Sequence, residues 1–319
     1  MVTLADTSAD ALAAMHEGCA IVDRSERGKL ALTGAEAKEF LHGQVTNDIE
    51  ALVPGEGCYA AFLTHKGKML GDLRVLDTGD ELLLDTERVA LQELFNMIRR
   101  FKLGRDVELH KRTVECGLLS LVGPDARRIA GAGELPDREH AHRLATVGGA
   151  RVRLIATDLG VDVLCDAADT EPVAATLIAA GAVPATEAAF EIRRVESGRP
   201  RYGADLDDSV IPQEAGLNER AASFEKGCYV GQETVARLHF RGKPNRHLRG
   251  LRLSAPVPPG TPLRLGEREV GRLGSVVESP RLGPIALALV RREAEPGTTL
   301  AAGDDGARAE VVELPFAAA

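Results

Sequence analysis

The chain has 319 residues, 44% apolar and 27% charged, which is an ordinary soluble balance, too long for one simple core and suited to two or three compact units. A formal net charge of −9 excludes a stable general nucleic-acid binder, because meeting phosphate takes a basic surface. No window approaches the ~20 apolar residues of a membrane span, and Cys19, Cys58, Cys116, Cys165 and Cys228 form no CxxC or CxxH pair, so neither a zinc site nor a cluster held by this chain is expected. The opening MVTLADTSADALAAMHEG has acids and no Lys or Arg ahead of an apolar run, which does not read as an export signal. With an odd number of thiols, the chain is expected in the cytoplasm with its cysteines reduced.

In chain order, RGKLALTG reads as a short strand ending at Gly34. AEAKEFLHGQV reads as an amphipathic helix with Phe40, Leu41 and Val45 on one side. CYAAFLTHKGKMLGDLRVLD reads as a hairpin turning at His65 to Lys68, and ELLLDT as a further strand. ERVALQELFNMIRRFKL is a helix expected to bury Val89, Leu91, Leu94, Phe95 and Ile98, and VELHKRT closes the unit as a strand. This order suggests a ferredoxin-like α+β unit. A looser version follows. LLSLVG, GARVRLIAT and GVDVLCD read as strands, PDARRIAGAG, TEPVAATLIAAGA and ATEAAFEIRRVESG as helices, and GELPDREHAH as an exposed polar loop carrying His140 and His142. After Lys243, short strands cut by Gly and Pro every eight to twelve residues mark a small all-β barrel. The boundary is expected near 243, giving an N-terminal region 1–243 of two α+β lobes, in tandem or interleaved, and a barrel over 244–319.

The stretch KGCYVGQETVARLHFRGK stands out. From Arg220 to Arg252 eight Lys or Arg face two Glu, a local charge of +6 on an acidic chain. Gly231 precedes a helix-forming run with Val235 and Leu238 as its inner face, so Cys228 falls just ahead of a helix N-terminus among cations. A small core residue is one explanation of the cysteine; the electropositive setting favours a reactive one. Alternation places Leu70, Asp72, Arg74 and Leu76 on one strand face, where Arg74 is the candidate partner of Asp72. A structural ion pair explains that acid as well as a site does, and the same holds for Asp162 in LGVDVLCD. No GxSxG, GxGxxG or phosphate loop occurs.

KGCYVGQETVARLHFRGK resembles the signature of the YgfZ family of folate-binding proteins, K-G-C-aromatic-x-G-Q-E-x-x-A-R with a later R-G, at Lys226, Gly227, Cys228, Tyr229, Gly231, Gln232, Glu233, Ala236, Arg237, Arg241 and Gly242. FLHGQVTNDIEAL, CYAAFLTHKGKMLGDLRVL and VGRLGSVVESPRLGPIALALV are similar to segments of the wider glycine-cleavage T-protein superfamily, so the resemblance covers nearly the whole chain. It implies an α+β fold, a three-lobed cloverleaf with ferredoxin-like lobes and a C-terminal β-barrel lobe around a central folate cleft. The T-protein's Gly-Gly-x-x-Asp-Asp-Leu falls on residues 67–73, which keeps the second acid as Asp72 and replaces the first by Gly71. Its pterin-holding acid falls on Asp162, one methylene shorter, and an arginine on Arg194. A carboxylate suits the N–H donors of an aminopyrimidine edge. Arg201, Arg237 and Arg241, with Lys226, are candidate cations for the folate, and Arg99, Arg100, Lys102 and Arg105 for the cleft mouth.

The resemblance therefore implies a monomer binding tetrahydrofolate or a one-carbon derivative. It would support iron–sulfur cluster assembly or repair in particular enzymes, tRNA-modifying ones among them, by contacting those enzymes or their assembly machinery through Cys228. The alternative is a folate-dependent aminomethyltransferase in which Asp72 steers proton transfer. Turnover is left open by the sequence.

Overall fold

The structure, a computed structural model, describes residue 1 and residues 7–316. Its elements begin with α1 (Ala9–Glu17), β1 (Ala20–Asp23), β2 (Gly28–Thr33), α2 (Ala37–Gln44), β3 (Glu56–Leu63), β4 (Met69–Asp77), β5 (Leu82–Thr86), α3 (Leu91–Phe101) and β6 (Glu108–Lys111). Next come β7 (Cys116–Val122), α4 (Ala126–Ile129), β8 (His142–Val147), β9 (Ala150–Thr157), β10 (Gly160–Asp166), α5 (Thr170–Ala179), β11 (Val183–Ala185) and α6 (Glu187–Glu196). After α7 (Asn218–Ala221) and α8 (Gln232–Arg241) the chain forms β12 (Arg246–Leu253), β13 (Pro262–Leu265), β14 (Arg268–Ser279), β15 (Gly283–Arg291), β16 (Thr299–Ala302) and β17 (Ala307–Val312).

These elements form the α+β, three-lobed arrangement expected. One sheet has the order β3-β4-β5-β2-β6, a second β11-β1-β7-β10-β9-β8, and β12-β15-β14-β13-β16-β17 close into a barrel. The two N-terminal lobes interleave. β1 precedes every strand of the first sheet, yet pairs antiparallel with β7 and parallel with β11 in the second. Its residues explain the choice, since Ala20, Ile21 and Val22 are all buried and such a strand needs cover on both faces. Ile21 joins the core under α4 and α5, while Ala20 and Val22 face α1, α6 and the barrel.

Period-2 alternation then positions the site. In the first sheet Leu30, Leu32, Leu73, Val75, Leu82 and Leu84 pack against α2 and α3, which turns Asp72, Arg74 and Asp85 to the opposite face. In the second, Leu119, Leu121, Val161 and Val163 face α4 and α5, which turns Ser120 and Asp162 the other way. The two polar faces meet, lobe to lobe. The helix expected to begin near 87 instead starts at Leu91; Leu94 and Ile98 are buried as its pattern predicts, but Val89 precedes it and is 63% exposed. Among the described residues no helix is long and apolar enough to cross a membrane, and no group of three or more His, Cys, Asp or Glu is placed to hold a metal.

Candidate functional site

A cleft opens where the two sheets, α6 and the segment after it converge, lined among others by Tyr59, Asp72, Arg74, His140, Asp162 and Arg220. In the β3–β4 register Tyr59 stands opposite Arg74 and Ala61 opposite Asp72, so Tyr59 and Asp72 are diagonal neighbours on one face. The Tyr59 hydroxyl donates to Asp72 Oδ2 at 2.6 Å. The strand reading named Arg74 as the partner of Asp72, and the structure replaces it with Tyr59, because Arg74 is drawn across the lobe junction. There it donates to Asp162 Oδ2 at 2.7 Å and pairs with Asp85 Oδ2 at 2.8 Å, opposite it on β5. Arg27 reaches Asp85 Oδ1 at 2.8 Å and also holds Glu87.

Burial sets the protonation of these acids unequally. Asp72 is pushed up to about 6 by burial, against the pull of the Tyr59 hydrogen bond. Burial, then the Asp72 charge, pushes the Tyr59 phenol well above its usual range. Burial would raise Asp85 too, but Arg27 and Arg74 hold it at about 2. The cleft thus keeps one acid poised near neutral pH, with a phenol donor on it, beside a locked ion-pair network.

Four of the residues singled out in the sequence, Asp72, Asp162, Arg194 and Arg201, line this cleft. Their partners differ from a simple binding pocket. Each Asp162 oxygen already accepts one hydrogen bond, Oδ1 from Ser120 Oγ and Oδ2 from Arg74, both at 2.7 Å. Arg194 ties α6 to the barrel, bonding Asp205 Oδ2 at 2.8 Å, Ser275 Oγ at 2.5 Å and Glu191. Arg201 is shared among Glu191 at 3.0 Å, Glu87 at 3.6 Å and Glu187.

Lys226, Cys228, Arg237 and Arg241 do not line the cleft. Lys226 is buried, and its ammonium spends its three donors on the carbonyls of Val45 (2.8 Å), Asn47 (2.9 Å) and His42, anchoring the signature loop to the end of α2. Gly231, with φ +84°, caps α8 as its sequence implies; a Cβ there would come within 2.5 Å of the Thr64 carbonyl oxygen. Cys228 is exposed just ahead of that helix, and Arg237 and Arg241 lie exposed on it. Nor do Arg99, Arg100, Lys102 and Arg105 line the cleft; Arg105 instead pairs with Glu36 and Glu39.

Gly71 explains the missing first acid. A Cβ at this position would lie 2.6 Å from the Phe62 ring and 2.7 Å from Ala90, so no side chain fits. The loop expected to expose His140 and His142 buries both. His142 N–H bonds the Gly55 carbonyl and His140 N–H the Ala156 carbonyl, each at 2.8 Å, which folds the segment into the junction between the lobes. Tyr59, Asp85, Glu87, Ser120 and His140 were not singled out as site residues. Only Tyr59 carried a signal, two positions from the residue that the hairpin register sets opposite Asp72.

Comparison with known proteins agrees with this architecture. The GCVT N-terminal domain model matches residues 3–226 and the glycine cleavage T-protein C-terminal barrel domain model residues 246–317. A protein of Arabidopsis thaliana, described in its name as a chloroplastic transferase, is 31% identical over 98% of this chain and 74% of its own length. An aminomethyltransferase of Rubrobacter xylanophilus is 29% identical over 95% of this chain and 84% of its own. The crystal structure of glycine cleavage system aminomethyltransferase T from Bartonella henselae superposes with a TM-score of 0.85 at 20% identity, over 97% of this chain and 89% of that one. Both family models in sequence order, spanning the interleaved lobes and the barrel, make this chain a member of the glycine-cleavage T-protein family.

Proposed function

We propose that this protein binds tetrahydrofolate or a one-carbon derivative in the cleft and acts as a YgfZ-type accessory protein for iron–sulfur enzymes, with Cys228 as its reactive or partner-contacting thiol. The observation that carries the reading is the separation of the two features. A buried polar cleft lies between the lobes, and the signature thiol stands exposed outside it, at the start of α8. A thiol needed by a bound folate would line the cleft; one needed by another protein belongs on the surface. The cleft suits a heterocycle that both donates and accepts, because Arg74 Nε and both His140 ring nitrogens line it buried and without hydrogen-bond partners. Folate would bring the one-carbon carrier; Asp72 and Tyr59 would hold or move a proton beside it, while the Arg74 network keeps Asp162 in place. The same reading divides the chain near 243, assigns the protein to the cytoplasm, and treats it as a monomer.

Asp72 supports a second reading, a folate-dependent aminomethyltransferase. An acid pushed up to about 6 can exchange a proton near neutral pH. Cys228→Ser and Asp72→Asn separate the two. In the first reading Cys228→Ser binds folate normally and fails to support iron–sulfur enzymes in cells; normal support by the serine variant sinks it. Aminomethyl transfer with a lipoyl carrier protein, abolished by Asp72→Asn, establishes the second.

A further inference from the structure

Among the described residues, His140 is the only one other than glycine with a left-handed backbone, at φ 67°. Crowding of Cβ against the backbone makes this unfavourable, so it persists where the surroundings impose it. Here they do. His140 N–H donates to the Ala156 carbonyl at 2.8 Å, Ala141 N–H to that of Arg138 at 3.0 Å, and Ala156 N–H to that of Ala141 at 2.8 Å. The imidazole so placed lines the cleft at 7% exposure, with both nitrogens closed to water and without a hydrogen bond. Burial, with Arg74 and Arg220 nearby, keeps it neutral, its pKa pushed down to about 3. A neutral imidazole has one donor and one acceptor, and leaving both unused inside a protein is uncommon.

We infer that His140 contacts the ligand of the cleft, Nε2–H closing on Glu139 while Nδ1 accepts a hydrogen bond from the N–H edge of a pterin. Glu139 Oε1 already lies 3.5 Å from Nε2, and Arg220 holds that carboxylate in place. A small closure therefore selects the tautomer whose Nδ1 is the acceptor. A second acceptor complements Asp162, whose two oxygens each already take one hydrogen bond, from Ser120 or Arg74, and so keep about half of their acceptor capacity for a ligand. A neutral acceptor also suits a neutral heterocycle better than a further carboxylate would, because it adds no buried charge.

This inference rests on the folate reading and can fail separately from it. The test is calorimetric titration of wild type, His140→Phe and His140→Gly with 5-formyltetrahydrofolate, with 15N spectra of the histidine rings in wild type. Expected are an Nδ1 resonance that shifts on binding and an affinity about ten-fold weaker in both variants. The glycine variant removes the ring and the left-handed strain together, so it decides the matter if the phenylalanine variant misfolds. Wild-type binding matched by the glycine variant within about two-fold overturns the role of His140 and leaves the folate reading intact. No binding by wild type overturns both.

Discussion

Replacing Arg74 with methionine tests the ion-pair network directly, because the side chain keeps its bulk and loses only its charge and donors. Arg74 is 7% exposed and joins the two lobes through Asp85 at 2.8 Å and Asp162 at 2.7 Å. Breaking a buried pair from one side costs about 3–5 kcal/mol, mostly through the charge left behind. Here each acid keeps one partner, Arg27 for Asp85 at 2.8 Å and Ser120 for Asp162 at 2.7 Å. The expected loss at pH 7 therefore lies near the lower end, about 3 kcal/mol, read from urea denaturation. Acid should shrink it. Arg27 and Arg74 hold Asp85 at about 2, below its usual range. A depressed carboxylate adds stability that is complete above the unfolded pKa and lost as pH falls through the folded one. The gap between wild type and Arg74→Met should be full at pH 7 and narrow from about pH 4 to about pH 2. A loss under about 1 kcal/mol at pH 7, or a gap indifferent to acid, would refute the view that this guanidinium holds the lobe junction.

Asp72 should behave in the opposite sense. Its pKa is raised to about 6, so the unfolded chain ionises first and wild-type stability falls as pH rises from about 4 to about 6. Asp72→Asn should match wild type below pH 4 and exceed it by up to about 3 kcal/mol above pH 6, in thermal melts across that range; curves that stay parallel contradict this assignment. Gly71→Asp, which restores the family's first acid, should destabilise by about 1–3 kcal/mol or more, since its Cβ would lie 2.6 Å from the Phe62 ring. A melting temperature equal to wild type would show that Phe62 yields readily.

Much of the architecture was legible because it follows from short-range regularities. The apolar periods of β3, β4 and β10, the Gly and Pro spacing of the barrel and the glycine ahead of α8 all appear in the structure where the sequence puts them. Interleaving of the lobes was left open, since β1 pairs with strands that follow it by about a hundred and more residues, and nothing local distinguishes those partners from nearer ones. Burial of His140 and His142 was missed for a related reason. Composition marks that segment as polar, yet its backbone bonds into the lobe junction and carries the side chains inward.

The sequence by itself determined which residues carry the charges, which strand faces present them, and the family to which the chain belongs. Tertiary structure alone decided what each charge meets. Asp72 and Arg74 share a face two residues apart, yet one takes the hydroxyl of Tyr59 and the other reaches Asp162, 88 residues on. Alternation fixes the direction of a side chain, but its partner depends on the register of a hairpin and the docking of two sheets. In a buried cleft that partner sets the protonation of the group, and so its chemistry.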